Sequence, residues 1–399
     1  MESGHIDIRH NSKSSRRYSS ETLETSSENP LGLQKSPKSS KNTGTLPSDV
    51  LRLSQYELSE FEQTEILSYK TVYFFGKKGI CKFNGRFSSK KGIYRGLTGD
   101  HLHYRYEILK TLGRGTFGIV FKCWDHKTSN LVAIKIIKCK EKYRKAGELE
   151  SFILDKIKEN TALDSNIFVN KHKAFNFRGH FCIVFELLYC TLYKFLEDYP
   201  AGVDSIVVKR MATQLLQGLK QLHTLRYLHC DLKPDNIMLQ YENKSKVKII
   251  DLGSACFTFY KAVPQYIQTR FYRAPEVILG VNYDSSIDYW SLGCVLVELL
   301  TGSTLFLAND EEHLLYLIVG LIGDPPLEFL QKGRKSDLFF TDNKVKKPEN
   351  LVKKNLADIL TGVNQWCLDF IGKCLVWDPR DRLNFESGLN HYWIKSRNR

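Results

Sequence analysis

The chain has 399 residues, 42% hydrophobic and 26% charged, which suits a globular protein built as one large bilobal unit with appendages. No run of about 18 apolar residues occurs, so no membrane-spanning helix is expected, and the polar start (Met1 to His10) carries no secretory signal. The 10 cysteines stand singly, without a Cys-x-x-Cys pair or a Cys/His metal spacing, and read as reduced thiols of a cytoplasmic or nuclear protein.

The net charge of +14 is unevenly spread: 19 Lys and Arg face 6 Asp and Glu between Ile66 and Glu150. Lys77, Lys78, Lys82, Arg86, Lys90, Lys91 and Arg95 form the densest part. The stretch is either a solvated face kept soluble by charge or a docking surface for acidic protein segments or RNA. Without a stacking-aromatic pattern, nucleic acid is the minor alternative.

Residues 1–45 are rich in Ser, Lys, Thr and Asn and too poor in large apolar groups to offset ordering entropy, so a disordered tail is expected. Residues 46–103 read as an accessory region packed on the larger domain that begins at residue 104. In it Leu51, Leu53, Tyr56, Leu58 and Phe61 give a mixed helical pattern, residues 71–75 (TVYFF) a short strand, and 92–99 a loop. Strands are predicted at 106–113, 118–125 and 131–138, a helix at 143–158, and further strands at 166–176 and 181–187. Beyond Leu192 the pattern is mostly helical, interrupted by short strands and loops at 226–273. A β-rich lobe (104–188) followed by an α-rich lobe (189–395) makes the fold class α+β, bilobal.

The motifs carry the chemistry. Gly113, Gly115 and Gly118 form a Gly-x-Gly-x-x-Gly run leading into Val120, between two strands; glycines let backbone N–H groups approach phosphate. A dinucleotide fold would follow such a run with a helix, which is not predicted here. Lys135 ends the strand Val132-Ala133-Ile134-Lys135, and Glu150 on the next helix is the candidate carboxylate to hold its ammonium, with Glu148 the competing choice. His229-Cys-Asp231-Leu-Lys233-Pro-Asp-Asn236 supplies a candidate catalytic Asp231, Lys233 for the γ-phosphate, and Asn236 as a metal ligand. Asp251, in Asp251-Leu-Gly253, is the main candidate ligand for Mg²⁺, which takes hard oxygens. Ala274-Pro-Glu276 comes next, with Arg382 placed to pair with Glu276. Six such motifs in order and spacing point to a protein kinase using ATP and Mg²⁺ on protein substrates.

At this point the chain resembles the dual-specificity tyrosine-regulated kinase (DYRK) family, in the CMGC group of protein kinases. The likeness runs from about residue 46 to 395. It rests on Cys230 in the catalytic loop, on the segment Tyr266-Ile-Gln-Thr-Arg270-Phe-Tyr-Arg273, and on Ser291-Leu-Gly293. Residues 61–69 (FEQTEILSY) and 72–76 (VYFFG) resemble the accessory region of its class II members.

The resemblance implies autophosphorylation of Tyr266, whose phosphate Arg270 and Arg273 would bind, followed by Ser/Thr phosphorylation of proteins with a Pro after the target and an Arg upstream. Asp235 would receive that Arg. Leu112, Val120, Ala133 and Met238 would hold adenine, with Phe185 at the back and the backbone of Glu186 and Leu188 along its edge. Departures from the family pattern are Leu252 for a Phe, Pro264 for a Tyr, Thr191 for an Asn, and a basic stretch where an acidic box is usual. Cys230 and Cys256 flank catalytic elements that meet in such a fold, which raises the idea of a reversible disulfide.

The alternatives are a pseudokinase scaffold or an RNA-binding protein acting through residues 66–150, and, among enzymes, a splicing-factor or MAP-kinase-like kinase. Lys135, Asp231 and Asp251 are all present, which argues against a scaffold. A monomer is the default.

Overall fold

The computed structural model describes residues 43–80, 83–242, 246–258, 266–342, 344–346 and 352–396. The tail up to residue 42, Lys82 and Pro264 lie outside the described residues.

One lobe is built on an antiparallel six-stranded sheet, in the order β1-β2-β3-β4-β6-β5. Its strands are β1 (His101–Leu102), β2 (Tyr106–Arg114), β3 (Gly118–Asp125), β4 (Asn130–Ile137), β5 (Lys171–Phe177) and β6 (His180–Glu186). Alternation decides which face is inside. In β3 Ile119, Phe121 and Cys123 are buried while Val120 and Lys122 are half-exposed on the other face, where the cleft opens. Tyr106, Ile108, Ile134 and Val184 complete the core on the covered face. Helix α3 (Glu141–Glu159) places Ile153, Leu154 and Ile157 against the sheet, a stripe at helical spacing.

Two predicted strands are corrected. Residues 166–176 are not extended throughout: the Asp164 side chain accepts the Asn166 N–H and starts a 3₁₀ turn at Ser165–Ile167, and β5 begins only at Lys171. Residues 71–75 form no strand; Val72 makes a single bridge to Thr45. The aromatic groups there are used as clamps instead, with Phe74 stacked on His126 at 4.3 Å and the Tyr73 and Phe74 N–H groups both donating to the Tyr104 carbonyl. The sheet also starts at His101, before the boundary at 104 read from sequence.

The second lobe is helical. Asp204 caps α5 (Ser205–Thr224), which comes after β7 (Cys190–Thr191) and α4 (Leu192–Leu196). After β8 (Tyr227–Leu228), β9 (Ile237–Leu239), β10 (Val247–Ile249), β11 (Cys256–Phe257) and α6 (Pro275–Leu279) comes α7 (Ser286–Thr301), buried along nearly its whole length. Helix α7 carries Asp288, whose fully buried carboxylate accepts the backbone N–H groups of His229 (2.9 Å) and Cys230 (3.1 Å) and bonds His223 at 2.8 Å. Burial alone would raise its pKa; the His223 contact and the backbone donors outweigh that and hold the carboxyl below its usual range.

The accessory region is a capped helical segment, α1 (Pro47–Ser54) and α2 (Glu60–Glu65), with a Ser59/Glu62 capping box. Of its apolar residues Val50, Leu58 and Ile66 are buried, whereas Leu53 and Tyr56 face solvent. Its anchor is electrostatic. Arg178, at the β5–β6 turn with φ 48° and a side chain 1% exposed, donates to Glu62 (3.0 Å) and Glu65 (2.8 Å) and lies 4.1 Å over the Phe87 ring.

These anchors set two stability measurements. Replacing Arg178 by Ala removes the buried guanidinium that Glu62 and Glu65 share, so urea unfolding should show a loss of about 3–5 kcal/mol. For Asp288→Asn a loss of about 3 kcal/mol at pH 7 is expected from the same principle. A depressed native pKa contributes stability above the unfolded value, so that loss should be full above about pH 5 and shrink as the pH falls through about 4. A pH-independent difference would show that Asp288 is not held ionised.

Candidate active site

The cleft between the lobes has two parts. The polar part encloses about 860 Å³ and is lined by Gly113, Gly115, Gly118, Lys135, Asp231, Lys233, Asp235, Asn236, Asp251, Tyr266 and Thr269. An apolar recess of about 260 Å³ adjoins it, lined by Leu112, Val120, Ala133, Phe185, Glu186, Leu188 and Met238, with Val169 and Ile250 in addition. The glycines play different roles. A Cβ at Gly118 would lie 2.0 Å from the Ile136 carbonyl oxygen, whereas at Gly113 and Gly115 it would meet nothing within 4 Å. The β2–β3 loop therefore leaves open space where a phosphate chain could sit close to backbone N–H groups.

Strand β4 aims Lys135 inward, where Nζ donates to Glu150 at 2.7 Å and Asp251 at 2.9 Å. Glu148 pairs instead with Arg144 on the surface at 2.8 Å, which decides between the two candidate carboxylates. Burial, aided by the Asp251 charge, pushes Glu150 up against the pull of Lys135 and the Leu252 N–H; the two carboxylates in turn hold the Lys135 ammonium firmly protonated against the same burial.

The catalytic loop is a closed set of hydrogen bonds. The Asp231 Oδ2 accepts Lys233 Nζ (2.9 Å) and Asn236 Nδ2 (3.0 Å), while Oδ1 accepts the Thr269 hydroxyl (2.6 Å). Lys233 also donates to Thr269 Oγ1 at 2.7 Å. Because Asn236 spends its amino group on Asp231, its amide oxygen remains for a cation; with the Asp251 carboxylate this makes a hard-oxygen set that fits a divalent metal. Asp235 is exposed at the mouth, and Thr191 Oγ1 is taken up in capping α4.

Three residues hold left-handed backbone here: Cys230 (φ 62°), Asp251 (φ 58°) and Gln268 (φ 62°). Such strain persists only where surrounding bonds fix it. The Gln268 N–H donates to the Cys230 carbonyl (2.9 Å), and its side-chain amide donates to Ile287 O and Ser291 Oγ. Leu252 is buried next to Asp251, as a Phe substitute should be. The Cys230 and Cys256 thiols are both free and interact, which pushes Cys256 down and, with burial, Cys230 up.

Tyr266 is 71% exposed, with the Arg273 guanidinium 4.2 Å over its ring. The Arg273 guanidinium beside it pulls its phenol pKa down despite partial burial. Arg273 is itself gripped by the Ile267 and Gln268 carbonyls and by Glu311 at 2.6 Å, and Arg270 donates to the Asn309 carbonyl. Arg382 donates to both oxygens of Glu276, at 2.6 and 2.9 Å, in a fully buried pair.

Sequence reasoning did not single out Thr269, Asp288, Val169 or Ile250. Thr269 stands inside the motif segment 266–276, where the signal is a hydroxyl three residues after the tyrosine. Asp288 has a signal too, as a carboxylate just inside an apolar helix, where burial demands donors.

The protein kinase domain family matches residues 106–394. Among similar proteins, "Dual specificity tyrosine-phosphorylation-regulated kinase 4" of Homo sapiens is 39% identical over 391 residues, covering 93% of this chain and 74% of that protein. "Dual specificity tyrosine-phosphorylation-regulated kinase 3" of Rattus norvegicus is 35% identical, covering 94% and 70%. "Serine/threonine-protein kinase ppk5" of Schizosaccharomyces pombe is 39% identical, and the chain spans 42% of its length. Membership of this family implies ATP as phosphoryl donor, typically with a divalent metal, and proteins as acceptors. The α+β bilobal fold, the kinase motifs and these relatives agree: the chain belongs to the dual-specificity tyrosine-regulated (DYRK) family of protein kinases.

Proposed function

We propose that the cleft transfers the ATP γ-phosphate to Ser and Thr hydroxyls of proteins after the enzyme has phosphorylated its own Tyr266. The observation that carries this reading is the Asp231 carboxylate, fixed by Lys233, Asn236 and Thr269 on the floor of a cleft whose glycine loop leaves room for phosphates. In this reading adenine fills the recess between Val120, Ala133 and Met238, along the backbone of Glu186 and Leu188. Lys135 would grip the α- and β-phosphates, and Glu150 keeps it in place. Mg²⁺, held by Asp251 and Asn236, would neutralise the phosphate charge. Asp231 orients the acceptor hydroxyl and takes its proton, while Lys233 balances charge on the transferred group.

A phosphate on Tyr266 adds about −1.5 to −2 charge beside Arg273. It would compete with Glu311 for that guanidinium and tighten the segment carrying Thr269 and Gln268. Cys230 makes this anchoring necessary, because the position beside the catalytic Asp offers no cation. Asp235 is the proposed acceptor for an upstream Arg of Pro-directed substrates. The enzyme is read as a monomer of the cytoplasm or nucleus that works on proteins and away from membranes.

The test is mass spectrometry on protein expressed in bacteria, comparing wild type with Asp231→Asn. Phosphate on Tyr266 in the wild type alone is expected, with kcat on a basic, Pro-containing peptide reduced about 10²- to 10⁴-fold in the variant. An unmodified Tyr266 in protein that still phosphorylates the peptide would remove self-activation; wild type silent in both assays would remove the catalytic reading. Asp235→Asn should raise KM several-fold for peptides with the upstream Arg and leave KM unchanged for peptides without it.

A further inference from the structure

The basic stretch divides sharply once its partners are counted. Lys77 pairs with Glu107 at 2.8 Å, Arg105 with Asp125 at 2.6 Å, and Arg144 with Glu148 at 2.8 Å. Arg86, Lys90 and Arg95 form no ion pair among the described residues, yet all three line one cavity of about 470 Å³ together with Ser88 and Arg178. This cavity shares no residue with the catalytic cleft.

The cations stand on a fixed support. The Arg95 N–H donates to the Phe87 carbonyl, the Ser89 N–H to the Ile93 carbonyl, and Ser88 bridges Tyr94, so residues 87–95 form a closed hairpin. Ser88 Oγ lies 2.7 Å from Nε2 of the buried His180, whose Nδ1 is 2.6 Å from the Ile137 carbonyl. A carbonyl can only accept, so Nδ1 carries the proton and Nε2 takes the Ser88 hydroxyl. Phe87 is wedged between the Phe61 ring at 4.9 Å and Arg178 at 4.1 Å, which ties the hairpin to the accessory helix and to the sheet. Arg178 adds a buried wall, and Glu62 and Glu65 already cancel its charge.

Mounting three uncompensated cations around one cavity costs Coulomb energy, and an anion in the cavity recovers it. Two guanidinium forks and one ammonium match the three acceptor oxygens of a phosphate monoester. The volume admits a phosphorylated side chain with the backbone around it. A nucleic acid strand would need a track of such sites and open aromatic faces for its bases; here Arg95 lies 5.6 Å over the partly exposed Phe83 ring, and Phe61 is packed on Phe87. We propose that Arg86, Lys90 and Arg95 form a docking site for a phosphorylated serine or threonine of a protein. The site would take the kind of group that a protein kinase makes, and hold it on a lobe surface separate from the catalytic cleft.

Fluorescence anisotropy on the full chain tests this, with a labelled hexapeptide carrying one phosphoserine and its unphosphorylated counterpart. The phosphopeptide should bind saturably and at least ten-fold more tightly than the plain peptide. The double variant Arg86→Ala/Arg95→Ala should lose at least ten-fold in that affinity while keeping its melting temperature and its peptide-kinase activity. Equal binding of the two peptides, or full affinity in the double variant, overturns the site. Inorganic phosphate competing as well as the phosphopeptide keeps the phosphate site and assigns it to free phosphate. Displacement by a single-stranded RNA 12-mer at concentrations below those of the phosphopeptide overturns the proposal in favour of nucleic acid.

Discussion

The catalytic loop is irregular backbone lying deep in the helical lobe, and such backbone survives burial only if each of its N–H groups finds an acceptor. Asp288 supplies two of those acceptors from a helix buried along nearly its whole length, and the rest of the cleft is referred to it. With His229 and Cys230 held, Cys230 can keep a left-handed φ, and its carbonyl can receive Gln268. Through Gln268 the segment with Thr269 and Tyr266 comes to lie against Asp231. One buried carboxylate thus sets the position of the catalytic loop and of the segment that would regulate it. Its ionisation in a dry interior is tolerable because the His223 contact and the backbone donors replace water around it.

Much of this was legible in the residues. The strands at 106–113, 118–125, 131–138 and 181–187, the helix after Lys135 and the Lys135–Glu150 choice follow from apolar period and from motif spacing. The chemistry-bearing residues were legible because their types are dictated by phosphate and metal, which leave few substitutes. What was not legible came from three-dimensional partners. Residues 71–75 have strand propensity, but their aromatics find better contacts on His126 and on the β1–β2 turn than in a ladder. The predicted strand at 166–176 fails at its start because a local Asp164 bond outweighs an apolar run. The mixed helical pattern of Leu51, Leu53, Tyr56, Leu58 and Phe61 does not say which of them are buried; Leu53 and Tyr56 face water, and the region is fastened by charge as well as by apolar packing.

The charge of the first lobe shows the same lesson. A surplus of Lys and Arg along the chain gives no hint of which are neutralised, because the carboxylates that pair with them come from other strands. Lys77 and Arg105 look no different in sequence from Arg86 and Arg95, and only the fold separates the satisfied from the unsatisfied. The pairing of Arg382 with Glu276 across 106 residues is of the same kind, although there the motif gave warning.

The bond between Arg178 and the accessory helix joins residues 113 positions apart for Glu65 and 116 for Glu62. During synthesis the helix leaves the ribosome long before its counter-ion exists. At roughly 5–20 residues per second that interval lasts about 6–23 s. Until then Glu62 and Glu65 are two neighbouring negative charges in water, which disfavours their premature burial against the half-made sheet. The part of the lobe made first is therefore the part fastened last, and the β5–β6 hairpin is the catch that closes it.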